Sequence, residues 1–303
     1  MMREKPKEYI EVSLEVAPEL QESLSSFFIQ LGADGTWIDG ANVRAFFNPS
    51  EMTRERFEID IAPFFTFFRG EGIEIPSKTI HFQKNIDEDW NMKWKQFFKP
   101  IQITSGLVIA PPWLNVELGS PDQKVVWIDP GLGFGTGTHP TTKNCLVFLD
   151  QILSGISDRA QIRVFDVGSG SGILSIAAAK LGVGEILAAD IDGDAVESMR
   201  HNFLINKVHR QIRLRLGSIF QADRNGYHVV MANICAEDLI RLSRDLERAI
   251  LPGGHVILSG ILAEKKVSVE KTFGDLNLLR KSERIEENWV TQVWEKKVEL
   301  SWN

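Results

Sequence analysis

Cysteine is nearly missing from this 303-residue chain: Cys145 and Cys235 are the only two, far apart and in no CxxC pair. A disulfide framework and a zinc ribbon are therefore not expected, and a reducing compartment, the cytoplasm, is the expected location. The six histidines are scattered without HExxH spacing, so no protein-bound metal is expected. No run reaches the roughly 20 apolar residues that a membrane helix needs. The opening MMREKPKEYIEVSLEV has no apolar signal core, so neither a span nor a secretory leader is expected. Neither glycine-rich segment contains GK[ST], which excludes a Walker phosphate loop.

Excess positive charge is also lacking. The formal net charge is −7, which argues against broad attraction to nucleic acid. Residues 1–80 hold 8 Lys and Arg against 14 Asp and Glu, so −6 of that charge sits in the N-terminal quarter. A solvated acidic surface and a docking face for a basic partner are both consistent with this. What is present is ordinary globular composition, 43% hydrophobic and 25% charged, at a length comfortable for two domains. Nothing in it requires more than a monomer.

Residues 9–16, YIEVSLEV, alternate as a strand does. Pro18 opens a segment with Leu20, Leu24, Phe27, Phe28 and Leu31 on one helical face, ended by Gly32. Short strands are expected at Thr36–Ile38 and Val43–Phe47. A second helix is expected through Phe57, Ile61, Phe64, Phe65 and Phe68, and a last strand over Thr79–Gln83. This β-α-β-β-α-β order predicts a small α+β ferredoxin-like domain over residues 1–82, with its phenylalanines in the core. A linker is expected over 83–114. In it, 86–98 read as a bridging helix with Trp90 and Trp94 on one face, stopped by Pro100.

Strand-like ITSGLVIA and KVVWID lead into a second domain over 115–303. From Arg163, short apolar strands (RVFDVG, EILAAD, IRLRLG, HVVMAN, HVILSG) alternate with helical segments at 172–181, 193–206 and 235–249. Alternation of this kind predicts an α/β doubly wound, mostly parallel seven-stranded Rossmann-like sheet. LLRKSERIEE and WVTQVWEK, around Asn288, read as a hairpin adding antiparallel strands at the end of the sheet.

The chemistry-bearing segment is Asp166-Val167-Gly168-Ser169-Gly170-Ser171-Gly172, between a strand and a helix. Small residues there let a ligand approach the main chain. The dinucleotide fingerprint GxGxxG would place its third glycine at Ile173, whereas the spacing here is GxGxG. That form suits a nucleoside ligand with no pyrophosphate on the helix N-terminus. Asp190 ends the second strand, where a carboxylate can take both ribose hydroxyls, or cap a helix. Asn233 ends the fourth strand, aimed at the same crevice, as a cofactor or amine ligand or as an N-cap. Upstream, DPGLGFGTGTHPTT (129–142) reads as a lid before a helix begun by Pro140; His139 in it is open to reading as a base or a helix cap.

Together these elements resemble the methyltransferases of large-subunit ribosomal protein L-eleven, the PrmA family. DPGLGFGTGTHPTT resembles that family's signature loop. DVGSGSGILSIAAAKLG, ADIDGDAVESMRHNFLIN, VVMANI and LPGGHVILSGIL resemble its nucleotide-binding half, and DEDWNMKWKQFFKP with PPW its linker. The likeness runs from about residue 80 onward; the first 80 residues agree in pattern alone. It implies transfer of methyl groups from S-adenosylmethionine to lysine or N-terminal amines of L-eleven, with the acidic N-terminal domain as substrate reader. It also implies cofactor contacts at Thr142, Gly168, Gly170, Asp190 and Asn233, of which Thr142 comes mainly from the resemblance. Ser169 stands where members have Cys, Cys235 where Leu is common, and Gly217-Ser218-Ile219 lacks the Asp that many methyltransferases place near adenine.

Rival readings are a nucleic-acid or small-molecule methyltransferase, a dehydrogenase, and a non-enzymatic module. NICA in place of Asn/Asp-Pro-Pro-aromatic disfavours the first, and the glycine spacing disfavours the dehydrogenase. Methyl transfer of this type needs alignment more than a dedicated acid or base. No single essential base is expected, although Asn233 is placed to orient the amine.

Overall fold

The computed structural model describes residues 7–70, 80–87, 99–129, 137, 139–223 and 226–298. Its contacts form two compact units that divide between Lys99 and Pro100. The first unit is built from β1 (Lys7–Glu15), α1 (Pro18–Gln30), β2 (Gly35–Asp39), β3 (Asn42–Phe47), α2 (Arg54–Gly70) and β4 (His81–Asp87). The sheet order is β2-β3-β1-β4, antiparallel throughout. Period-two alternation puts Val12, Leu14, Val43, Ala45 and Phe47 on one face, where Leu24 and Phe28 of α1 and Phe57 and Ile61 of α2 meet them, all buried. The ferredoxin-like expectation is met. The last strand runs to Asp87, so Ile86 and Asp87 are strand and not the start of a bridging helix. The rest of that helix, with Trp90 and Trp94, lies outside the described residues.

The second unit begins with β5 (Ile101–Thr104), β6 (Leu107–Ala110) and β7 (Lys124–Trp127), a three-stranded sheet of that order, and so takes in part of the stretch expected to be linker. Then come α3 (Pro140–Ser154), β8 (Arg163–Val167), α4 (Ile173–Lys180), β9 (Glu185–Asp190), α5 (Gly193–Ile205), β10 (Ile212–Leu216), β11 (Tyr227–Asn233), α6 (Ala236–Ala249), β12 (Ile250–Leu262), α7 (Lys266–Gly274), β13 (Leu278–Glu286) and β14 (Trp289–Lys296). The seven-stranded sheet has the order β10-β9-β8-β11-β12-β14-β13.

Strands β8, β9 and β11 are buried on both sides, as near-continuous apolar runs in parallel sheets are, whereas β10 at the sheet edge is largely exposed. One core holds α3 and α4 against the sheet; another holds α6. Leu239, Leu242 and Leu246 give α6 its inward stripe, each contributing roughly 2 kcal/mol of burial.

One expectation needs correction. The final hairpin does not simply extend the sheet: β14 inserts between β12 and β13, and it alone runs against the rest. The Leu251-Pro252-Gly253-Gly254 stretch, a turn by composition, lies inside β12 as a bulge. Ile250 pairs with Tyr227 and His255 with Val229, so the intervening residues loop out while the ladder continues. Helix α7 went unforeseen because it buries little beyond Val269 and Phe273.

Candidate functional site

The order of the large sheet reverses beside β8: β9 lies on one side and β11 on the other. Loops leaving the carboxyl ends of these strands diverge there and open a crevice. Gly168 leaves β8 at φ +70°, and a β-carbon on it would stand 2.4 Å from Ile234 Cγ2. Gly172 caps α4 at φ +78°, where a β-carbon would stand 2.5 Å from Phe203 Cε1. The loop is thus pressed between two neighbouring elements, and glycine is required by space as well as by φ. Ser169 fits the turn by donating from Oγ to Asp166 O at 2.8 Å.

Asp190, at the end of β9, is buried. Its Oδ2 accepts Gly170 N–H at 2.9 Å and its Oδ1 accepts Asp192 N–H at 3.0 Å. The carboxylate is therefore oriented by the glycine loop itself, with one backbone donor on each oxygen and further acceptor capacity on both. Beneath the loop lies Asp166, fully buried. Its Oδ2 accepts Ser175 N–H at 3.1 Å and Ser175 Oγ–H at 2.7 Å, while Oδ1 has no partner. Burial pushes its carboxyl up to about 7, against the lowering effect of the Ser175 bonds.

On the β11 side, Asn233 Nδ2 donates to Thr142 Oγ1 at 3.4 Å, across 91 residues of sequence. Thr142 is delivered by the first turn of α3. His139 is the N-cap of that helix: its Nδ1 accepts Thr141 N–H at 3.4 Å and lies 2.7 Å from Thr141 Oγ1. Burial lowers its pKa to about 4, so the ring is neutral at pH 7. Of the two roles left open for His139, the structure supplies the cap. Ser259 Oγ, on the strand beside Asn233, bonds Thr141 O at 3.3 Å and Thr291 Oγ1 at 2.7 Å, tying the helix start to β12 and β14. The N-cap of α6 is Cys235, so Asn233 is not spent on capping.

The sequence-predicted residues thus gather at one sheet edge: Gly170 is bonded to Asp190, Thr142 to Asn233, and Gly168 packs against Ile234 next to Asn233. Residues 130–136 and 138 of the expected lid lie outside the described residues. Two residues escaped sequence reading. Asn202 Oδ1 accepts Asp129 N–H at 3.1 Å while its Nδ2 donates to Ser171 O at 3.0 Å. Asn206 holds the backbone of Trp127 in the same manner, at 2.9 and 2.5 Å. Both are almost wholly buried, Asn202 within α5 and Asn206 as its C-cap. The available signal was two asparagines four apart on the inner face of a helix. Among the described residues no group of three or more His, Cys, Asp or Glu could hold a metal.

A doubly wound sheet with an antiparallel strand inserted near one edge, a GxGxG loop at its reversal and an acid ending the next strand defines a Rossmann-like methyltransferase. The family model described as ribosomal protein L11 methyltransferase (PrmA) matches residues 8–297. A protein of that name from Citrifermentans bemidjiense is 37% identical over 299 residues, covering 92% of this chain and 96% of that protein. One from Halalkalibacterium halodurans is 36% identical, covering 87% and 82%. Among solved structures, the ribosomal protein L11 methylase of Lactobacillus delbrueckii subsp. bulgaricus aligns with TM-score 0.59 and 30% identity, over 66% of this chain and 99% of that one. The chain belongs to the ribosomal protein L11 methyltransferase family. The match begins at residue 8, so the N-terminal unit shares in it, contrary to the expected start near residue 80.

Proposed function

We propose that this protein transfers methyl groups from S-adenosylmethionine to amino groups of ribosomal protein L11, at lysine side chains, the N-terminal amine or both. The observation that carries this reading is the Thr142–Asn233 hydrogen bond set beside the Gly168–Gly170 loop and Asp190 in a chain of this family. The residues present suit the cofactor. Asp190 offers an oriented, buried carboxylate to ribose hydroxyls, Gly168 and Gly170 give main chain without side chains, and Thr142 with Asn233 supplies hydroxyl and amide groups. The buried Oδ1 of Asp166, without a partner, marks a polar spot under the same loop.

When bound, S-adenosylmethionine supplies a sulfonium-activated methyl group, which the amine lone pair takes as the C–S electron pair returns to sulfur. Asn233 orients that lone pair. Because its Nδ2 is turned to Thr142, its Oδ1 faces the other way and can accept an amine N–H. The amine must arrive neutral, and a site beside a cationic sulfur favours that form by desolvation and like-charge repulsion. The proton departs to water; neutral, buried His139 is held as a cap and is no base for it.

In this reading the second unit, from Pro100 onward, is catalytic, and the acidic first unit, whose sheet ends with Asp87, recognises the substrate. The enzyme acts as a cytoplasmic monomer and makes no direct contact with nucleic acid. The test uses labelled S-adenosylmethionine, the purified protein and a ribosomal-protein mixture, with labelled products identified by mass spectrometry. Label on amines of L11 supports the reading; label on RNA, another protein or a small molecule replaces the substrate.

A further inference from the structure

Helix α2 of the N-terminal unit is apolar on two opposite sides. Phe57, Ile61 and Phe64 face the core and are buried. Turning about 100° per residue, the opposite side carries Ile59, Ala62, Pro63, Thr66 and Phe67, all exposed. Ile59 is 71% exposed and Phe67 64%, and among the described residues of this unit they are the only large hydrophobics so exposed. They stand eight residues apart, about 12 Å along the axis. From Ile61 to Phe68 no charged residue interrupts the helix. A helix that only covers a small domain has a charged outer face. Here the charges lie at the two ends: in the first turns Arg54 pairs with Glu58 at 3.0 Å and Arg56 with Asp60 at 3.2 Å, and Arg69 stands in the last turn.

An outward apolar stripe of this size marks an interaction surface. Pro63 gives up a backbone donor on that face, and Phe67 is held edge-on to Phe68 with ring centroids 5.1 Å apart. Phe67 thus has one ring neighbour while most of its surface stays open to a partner. The charge of the unit selects the occupant. With 8 cations against 14 anions over residues 1–80, it repels an acidic partner, including a second copy of itself, and attracts a cationic one. Proteins that live on RNA phosphates carry cationic surfaces.

We infer that the outer stripe of α2, centred on Ile59, Pro63 and Phe67, docks the cationic protein substrate by an apolar patch, with the net acidic charge of the unit as a whole steering its approach. This rests on the proposed methylation of a ribosomal protein and assigns the surface that reads it. Loss of two exposed anchors should act on substrate affinity and leave cofactor handling alone.

The test compares the full chain with Ile59→Ser/Phe67→Ser, using purified L11. The expected result is a KM for L11 raised about tenfold or more, with kcat, S-adenosylmethionine affinity and melting temperature near those of the parent. A single Ile59→Lys variant should lose more than Ile59→Glu, because the partner is cationic. A parent enzyme that labels no L11 sinks the proposed function and this inference with it. A parent that labels L11, with an unchanged KM in the double variant, sinks this inference alone. A parent that is dimeric and a double variant that is monomeric by light scattering would reassign the stripe to self-association.

Discussion

Asn233 and Thr142 share a hydrogen bond of 3.4 Å that joins the end of β11 to the first turn of α3. Thr142 thereby fixes which way the Asn233 amide faces. Asn233→Ala should lower kcat by about a hundredfold, the cost of a misaligned amine, with the fold intact by circular dichroism. Thr142→Val should lower it less, and the double variant should fall short of the product of the two losses, because the residues act as a unit. Strictly multiplicative effects in steady-state assays would show that the bond has no role in turnover.

Asp190 holds the backbone at Gly170 and Asp192 as well as facing the crevice. Its removal therefore costs twice. Asp190→Ala should raise the Kd for S-adenosylmethionine by about ten- to a hundredfold, the worth of charge-assisted hydrogen bonds, and should also lower the melting temperature. Calorimetric titration and a thermal melt check both; a cofactor Kd equal to the parent's would remove Asp190 from the binding set.

Gly172→Ala tests the loop's packing. The added methyl meets Phe203 at 2.5 Å and the residue is held at φ +78°. A loss of about 1–3 kcal/mol is expected from overpacking and strain together. Trimming the ring with Phe203→Leu should recover only part of it, since the backbone strain stays. Urea unfolding of the single and double variants measures this, and full recovery would show that φ contributes nothing.

Two buried groups give the stability opposing pH dependences. Asp166 titrates near 7 folded against 3.8 unfolded, so its contribution is present below pH 4 and is lost as pH rises toward 7. His139 titrates near 4 folded against 6.5 unfolded, so its contribution is present above 6.5 and is lost as pH falls toward 4. Between pH 4 and 6.5 the two partly cancel. Asp166→Asn should leave the His139 arm, so that the variant's stability climbs more steeply with pH than the parent's in urea titrations. Parallel curves would show that Asp166 ionises normally.

Neutral, capping His139 also bears on the rate. His139→Ala should reduce kcat by less than about a hundredfold, below the span of true acid–base residues. A larger loss at saturating cofactor would restore it as a base.

Much of this fold was legible because its signals are local. The period-two alternation of β1, the 3.6-period stripes of α1 and α2 and the glycine punctuation after β8 are each written within a dozen residues. Asp190 and Asn233 were readable because strand ends in such sheets share one edge. The Thr142–Asn233 bond was not, since it joins positions 91 apart. Nor was the place of β14, because a hairpin pattern specifies that two strands pair and says nothing of which one the sheet accepts. The β12 bulge was hidden for the opposite reason: Pro252, Gly253 and Gly254 carry a strong local turn signal that the ladder to β11 and β14 overrides.

The insertion of β14 has a consequence for biogenesis. Until residues up to Lys296 have been synthesised, β12 has no partner on its outer side, and the apolar side chains of Val256, Leu258 and Ile261 lack part of their cover. Translation from Leu262 to Lys296 takes about 2–7 s at ordinary elongation rates. Throughout that interval the nascent sheet presents an unprotected strand edge, the feature most prone to mispairing. The catalytic unit is thus completed late in synthesis, while the N-terminal sheet, closed by β4 at Asp87, has its strands in hand much earlier.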